Sequence, residues 1–152
     1  MQCHASCVKW FGNGILLLGE SGAGKSEAAL RLLHAGAELV ADDIALLREK
    51  DGKLLASAPT SLQGMLEVRG VGILRYPYVV ESAVHVAIVL GEEERLPAQN
   101  ARSFGGVTLP VLTLNHHHAM FADKVRAALH ALQEPAHIDV GFSAESATEK
   151  AS

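Results

Sequence analysis

Several things are scarce in this 152-residue chain, and each scarcity excludes something. Cysteine occurs twice, at Cys3 and Cys7, too few for a disulfide scaffold. No apolar run approaches the ~20 residues needed to cross a bilayer, so no membrane association is expected. The start, MQCHASCVKW, lacks the basic, long apolar and cleavage regions of a secretory signal, and a cytoplasmic location is the simplest expectation. Positive charge is in deficit: 13 Lys and Arg against 17 Asp and Glu leave a net −4, which argues against a nucleic-acid grip. What is present is a chain 49% hydrophobic, too apolar for disorder, of a size for a single core. It also carries 14 glycines, several in one compact run.

Residues 7–18, CVKWFGNGILLL, predict an extended segment, a turn at Gly12–Gly14 and a buried strand. After the loop GESGAGKS, EAALRLLHAG places Ala28, Ala29, Leu32 and Leu33 at helical spacing and stops at Gly36, a C-cap candidate. AELVADDIALLRE reads as a strand running into two acids, and Asp51-Gly52 as the turn of a hairpin. TSLQGMLEVRGVGILRYPY is expected to form a short helix or turn leading to an exposed loop. Residues 84–90, VHVAIVL, predict a second buried strand, in which His85 is structural. GEEERLPAQNARSFGG is a long polar connection. VTLPVLTL predicts a strand pair or an edge strand, since Pro110 disfavours a central one. From about His118 to Leu132 a helix is expected, with Met120, Phe121, Val125, Leu129 and Leu132 on its apolar face. Residues 1–134 thus form one catalytic-size domain, and 135–152 are expected to be a flexible tail.

Gly19, Glu20, Ser21, Gly22, Ala23, Gly24, Lys25 and Ser26 satisfy GxxxxGK[ST] between a predicted strand and a predicted helix. In such a loop, backbone amides turn inward around an anion and the following helix adds its unpaired N-terminal amides. Lys25 carries charge to the outer phosphates, and Ser26 offers its hydroxyl to Mg²⁺. The pattern points to a nucleoside triphosphate or pyrophosphate and leaves ATPase, GTPase and kinase open. Asp42 and Asp43 end the apolar stretch where a carboxylate can reach a metal at the loop, but a regular strand would point them to opposite faces. Their joint use requires the strand to end there; a solvated turn is the plainer alternative. Cys3, His4 and Cys7 superficially suggest a metal, yet no distant cysteine pair completes a zinc set. His116, His117 and His118 are consecutive and cannot all face one ion on a regular element, so a helix start or polar loop is expected there.

On GESGAGKSEAALRLL at 19–33, LVADD at 39–43 and LEVRGVGI at 66–73, with His4 ahead of the loop, the chain resembles the C-terminal catalytic domain of the HPr kinase/phosphorylase family. The resemblance implies an α/β P-loop kinase domain with a central, mainly β sheet and flanking helices. It implies Mg²⁺-dependent transfer of a phosphoryl group from ATP, or from pyrophosphate, to a serine of an HPr-like phosphocarrier protein. It assigns His4 as an active-site histidine assisting an acid, Lys25 as the phosphate-binding lysine, and Ser26 with Glu67 as Mg²⁺ ligands. Asp43 takes the serine proton, Asp42 supports metal or geometry, and Arg95 falls where the family carries a catalytic arginine. Taken alone, Glu67 and Arg69 also read as a surface ion pair. The family's homo-oligomers, hexamers among them, are expected here too.

Two departures stand out. The family has an N-terminal domain, whereas this chain begins near the active-site histidine and is expected to be a short form. In PVLTLN, at 110–115, Leu112 and Asn115 stand where the family carries arginines linked to phosphorolysis, so kinase activity is expected without the reverse reaction. The alternatives are a P-loop phosphotransferase or ATPase with another acceptor, and a nucleotide-sensing module whose catalysis has decayed.

Overall fold

The computed structural model describes residues 1–143. The expectation of a flexible tail falls partly on 144–152, which lie outside the described residues. Eleven strands and two α-helices form a largely β architecture: β1 Gln2–His4, β2 Ser6–Trp10, β3 Asn13–Leu18, α1 Lys25–His34, β4 Glu38–Ala41, β5 Ile44–Lys50, β6 Lys53–Ser57, β7 Met65–Val68, β8 Gly72–Arg75, β9 Glu81–Leu90, β10 Ala101–Phe104, β11 Val107–Leu114 and α2 Phe121–Gln133. Nine strands make one sheet, ordered β1-β5-β6-β9-β3-β2-β4, and β11 joins it at β9 while carrying β10 on its other flank. The ten-residue β9 makes this branching possible. Its first half pairs antiparallel with β6, its second half pairs parallel with β11, and its opposite edge pairs parallel with β3.

The apolar run of β3 is buried on both faces, as a continuous rather than alternating pattern requires. Ile15 and Leu17 enter one core with Ala28, Ala29 and Leu32 of α1 and Phe121, Val125 and Leu129 of α2. Leu16 and Leu18 enter a second core with Val40, Ala45, Leu47, Leu54, Val111 and Phe104. Helices cover the first face; the curled sheet covers the second with its own outlying strands. α1 ends as Gly36 predicts: Gly36, at φ 115°, follows the cap Ala35, Ala37 N–H reaches Leu32 O, and Gly36 N–H reaches Leu33 O.

Three local expectations are corrected. The segment after Pro59 does contain a short 3₁₀ turn at Thr60–Leu62, but no exposed loop follows: β7 and β8 pair as a hairpin of their own. Leu66 is fully buried against α1, and the turn runs through Gly70 at φ 83°. VTLPVLTL is one strand rather than a pair. β10 lies opposite Pro110, and the pairing with β9 begins only at Val111, so the proline occupies the half of β11 that β9 does not reach. Within the second helix Met120 is the exposed N-cap residue, not part of the buried face. At the chain's end, Phe142 is buried in the helix-covered core and Ile138 packs beside it, so packing continues beyond residue 134.

Candidate phosphate-binding site

The strand senses decide where chemistry can gather. β9 and β11 run parallel to β3, and β4, antiparallel to β2, which is itself antiparallel to β3, shares that sense. The ends of β4, β3, β9 and β11 therefore open onto one edge of the sheet, the usual ligand edge of parallel strands. The glycine loop leaves β3 at this edge, and Asp42-Asp43 leave β4.

A cleft of about 410 Å³ there is lined by Ser21, Gly24, Lys25, Ser26, Asp42, Asp43, Glu67 and Arg69, among others. The loop is wound as a phosphate cradle, with Gly22 at φ 84° and Gly24, just before α1, at φ 99°. Lys25 is buried, and its ammonium donates to Gly19 O at 2.9 Å and Glu20 O at 3.2 Å. The question of the paired aspartates is answered by the backbone. β4 stops at Ala41 and Asp43 adopts φ 66°, so the strand alternation breaks and both acids line the cleft. Asp42 Oδ1 accepts the Ser26 hydroxyl at 2.7 Å and the Ser6 hydroxyl at 2.9 Å, while Oδ2 accepts the Glu67 N–H at 3.4 Å. One carboxylate thus joins the P-loop serine, the start of β2 and the β7–β8 hairpin.

Ser6 is the residue that sequence reasoning missed. It is fully buried, donates to Asp42, and accepts the Asp43 N–H at 3.2 Å; Asp43 O in turn accepts the Ala5 N–H at 3.0 Å. A serine beside a cysteine at a strand start carries no motif, and only the pairing of the sheet shows its use. His4 lies opposite Ile44, one residue from Asp43, on the exposed edge strand β1; it does not line the cleft. Arg95 is not brought to it either. β9 stands between β3 and β11, so the connection after β9 is carried to the β11 side, and Arg95 lines a separate cavity with Leu114, Lys124, Ala128 and Phe142. The local positive pocket expected from Lys25, Arg69 and Arg95 is therefore built by Lys25 and Arg69 alone among the three. Its neighbour Glu93 is a structural acid: it pairs with Lys124, which holds its carboxyl below the usual range, and it accepts the Asn115 N–H at 3.0 Å. Leu112 is a core residue, and Asn115 Oδ1 accepts the His117 N–H.

Fold and site together define an α/β protein of the phosphate-loop class. Residues 1–83 match the family model described as HPr Serine kinase C-terminal domain, and the chain belongs to that family. The HPr kinase/phosphorylase of Clostridium tetani is 53% identical over 76 residues, which are 50% of this chain and 25% of that protein. The HPr kinase/phosphorylase of Clostridium novyi is 40% identical over 111 residues, 68% of this chain and 36% of that protein. The chain thus spans about a quarter to a third of the length of these curated relatives. A solved Hpr(Ser) kinase/phosphatase from Coxiella burnetii has the same fold, with a TM-score of 0.79 at 23% identity over 91% of this chain and 99% of that one. Among the described residues no helix is long and apolar enough to cross a membrane.

Proposed function

We propose that this chain is a Mg²⁺-dependent protein-serine kinase module that moves a phosphoryl group from ATP to a serine of an HPr-like phosphocarrier. The observation that carries the proposal is the convergence of Lys25, Ser26, Asp42, Asp43 and Glu67 on one cleft, in a chain of this family. The donor set suits Mg²⁺, a hard cation that takes oxygen ligands: Ser26 Oγ and Asp42 Oδ1 are 2.7 Å apart and Glu67 lines the same cleft. Ser26 and Glu67, with Asp42 beside them, would hold the ion. When bound, it supplies charge to stabilise the transferred phosphoryl oxygens.

Lys25 and the amides of Gly22–Ser26 bind and orient the outer phosphates. Asp43, turned out of the strand and clamped through its N–H and C=O, receives the proton of the incoming serine hydroxyl. His4, next to that turn through the β1–β5 pairing, tunes the proton's departure. Phosphorolysis is not part of the proposal, because Leu112 is committed to the core and Asn115 to the turn that follows β11, leaving no guanidinium at these positions. Arg95 is left without a catalytic role. A homo-oligomer is proposed as the working assembly, to be checked by sedimentation.

The test presents the protein with labelled ATP, Mg²⁺ and an HPr-like carrier. Label on the carrier serine that disappears with Lys25→Ala and with Asp43→Asn, both still folded, is the expected result. ATP binding without transfer to any of a panel of carriers would instead make the chain a nucleotide-sensing module. Transfer that survives in both variants would remove the mechanism.

A further inference from the structure

The histidine run after β11 does more than start a helix. His116, His117 and His118 lie on an irregular turn, so adjacent rings are free of the alternation a strand would impose. His118 is turned away: its Nδ1 accepts the Met120 N–H at the start of α2. His116 and His117 instead face the same way, with ring centroids 3.9 Å apart. Glu27, in the first turn of α1, meets them, and one ligand atom from each of the three side chains lies within 4.8 Å of the others.

The second observation is an unpartnered donor. His116 is only 4% exposed, yet its Nε2 has no hydrogen-bond partner, and Glu27 Oε2 stands 3.6 Å away, beyond hydrogen-bond reach. A buried imidazole nitrogen left unsatisfied is costly unless something occupies it. We propose that Glu27, His116 and His117 form a binding site for a divalent transition metal of the zinc class, seated against the phosphate loop but distinct from the Mg²⁺ position.

The chemistry of the donors selects the metal. Two imidazole nitrogens and one carboxylate match sites with three protein ligands and an open fourth position, and they favour zinc, cobalt, nickel or copper over Mg²⁺ or Ca²⁺. Bonds of about 2.0–2.1 Å in a tetrahedral site put ligand atoms about 3.4 Å apart. The His116–Glu27 separation is already near that value, and the wider gap closes by rotation of His117 and Glu27, both exposed.

The turn itself is held rigid. Arg31, one helical turn after Glu27, donates to the carbonyls of His116 at 2.6 Å, His118 at 2.9 Å and Ala119 at 3.2 Å, and Phe121 packs edge-on beneath the His116 ring. These carbonyls engage the guanidinium charge, while Glu27 faces the rings. On its other side the His116 ring lies on Gly24; a Cβ there would come within 2.4 Å of Nε2. A metal on that nitrogen therefore sits directly behind the phosphate loop.

The test uses tag-free protein without nucleotide, titrated with Co²⁺ alone and then displaced by Zn²⁺, so that it stands or falls separately from phosphotransfer. One equivalent of Co²⁺ with the intense visible bands of a four-coordinate site is expected. Affinity should drop on the order of 10- to 100-fold or more in both His117→Ala and Glu27→Gln, whose exposed positions leave folding intact. His118→Ala and Cys3→Ser should bind as the parent does. Equal affinity in parent, His117→Ala and Glu27→Gln, loss of binding in His118→Ala or Cys3→Ser, equal competition by Mg²⁺, or no uptake at micromolar Co²⁺ would each overturn the assignment.

Discussion

Ser6 shows how much of the candidate site depends on one unremarked side chain. Its hydroxyl donates to Asp42 and accepts from the Asp43 amide, so it fixes both acids while touching neither nucleotide nor acceptor in the proposed reaction. Ser6→Ala leaves a backbone N–H without its partner, and a loss of about 1–3 kcal/mol is expected in urea denaturation. If Asp43 is thereby loosened, kcat for carrier phosphorylation should fall by about tenfold, equivalent to ~1.4 kcal/mol of barrier, with little change in KM for ATP. A Ser6→Ala protein of unchanged kcat would show that Asp43 keeps its position unaided. Cys7, two strand positions from the acid at Glu38–Ala41 pairing, illustrates the opposite case. It is fully buried, and burial pushes its thiol up to about 12. It should resist alkylation in the native protein and react only on unfolding, as mass spectrometry after iodoacetamide would show.

At the scale of elements, β9 carries a device invisible to periodicity. VHVAIVL reads as a regular strand, but the register against β3 jumps between Gly14↔Val84 and Ile15↔Val86. His85 is the extra residue, and its Nδ1 accepts the Gly14 N–H at 3.1 Å. The bulge sends Val84 into one core and Val86 into the other, although they are two apart. Partial burial, then the charges of Lys53 and Lys9, lower the proton affinity of His85. With the folded-state pKa below the unfolded value near 6.5, the unfolded chain binds the proton first, so stability falls as pH drops through and below ~6.5. His85→Asn, which keeps an acceptor and cannot take the proton, should show a smaller decrease in Tm between pH 7.5 and pH 5.5 than the parent; an equal decrease would assign the pH effect elsewhere. The β7–β8 hairpin is a second such element. Its single fully buried side chain, Leu66, anchors the strand that offers the Glu67 amide to Asp42. Leu66→Ala should cost about 2–5 kcal/mol by chemical denaturation.

At the scale of the molecule, the helix-covered core closes over its far end with residues that composition marked for fraying. Phe142 is 5% exposed and shares a core with Leu112, Leu114 and Leu129. Phe142→Ala should lower stability by about 3–5 kcal/mol, a value that a loosely attached tail would not produce. The same global layout explains Arg95. Nothing local distinguishes an arginine that reaches the phosphate edge near β3 from one delivered past β11; strand order makes that choice.

The sequence by itself determined what short-range physics encodes: the glycine loop between an apolar strand and a helix, the helical faces of α1 and α2, the Asp51-Gly52 hairpin, and a family resemblance concentrated in the first half. Loop winding, helix capping and turn chemistry need only neighbouring residues, so they are legible in order along the chain. Tertiary structure decided the rest. It broke the strand at Asp42-Asp43 so that both acids face one cleft, buried Ser6 behind them, left Arg95 outside, and laid His116 against Gly24. Those outcomes depend on which strands pair, in which direction and in what register. Pairing between residues 37 to 92 positions apart is set by the packing of two whole cores, which no local pattern contains.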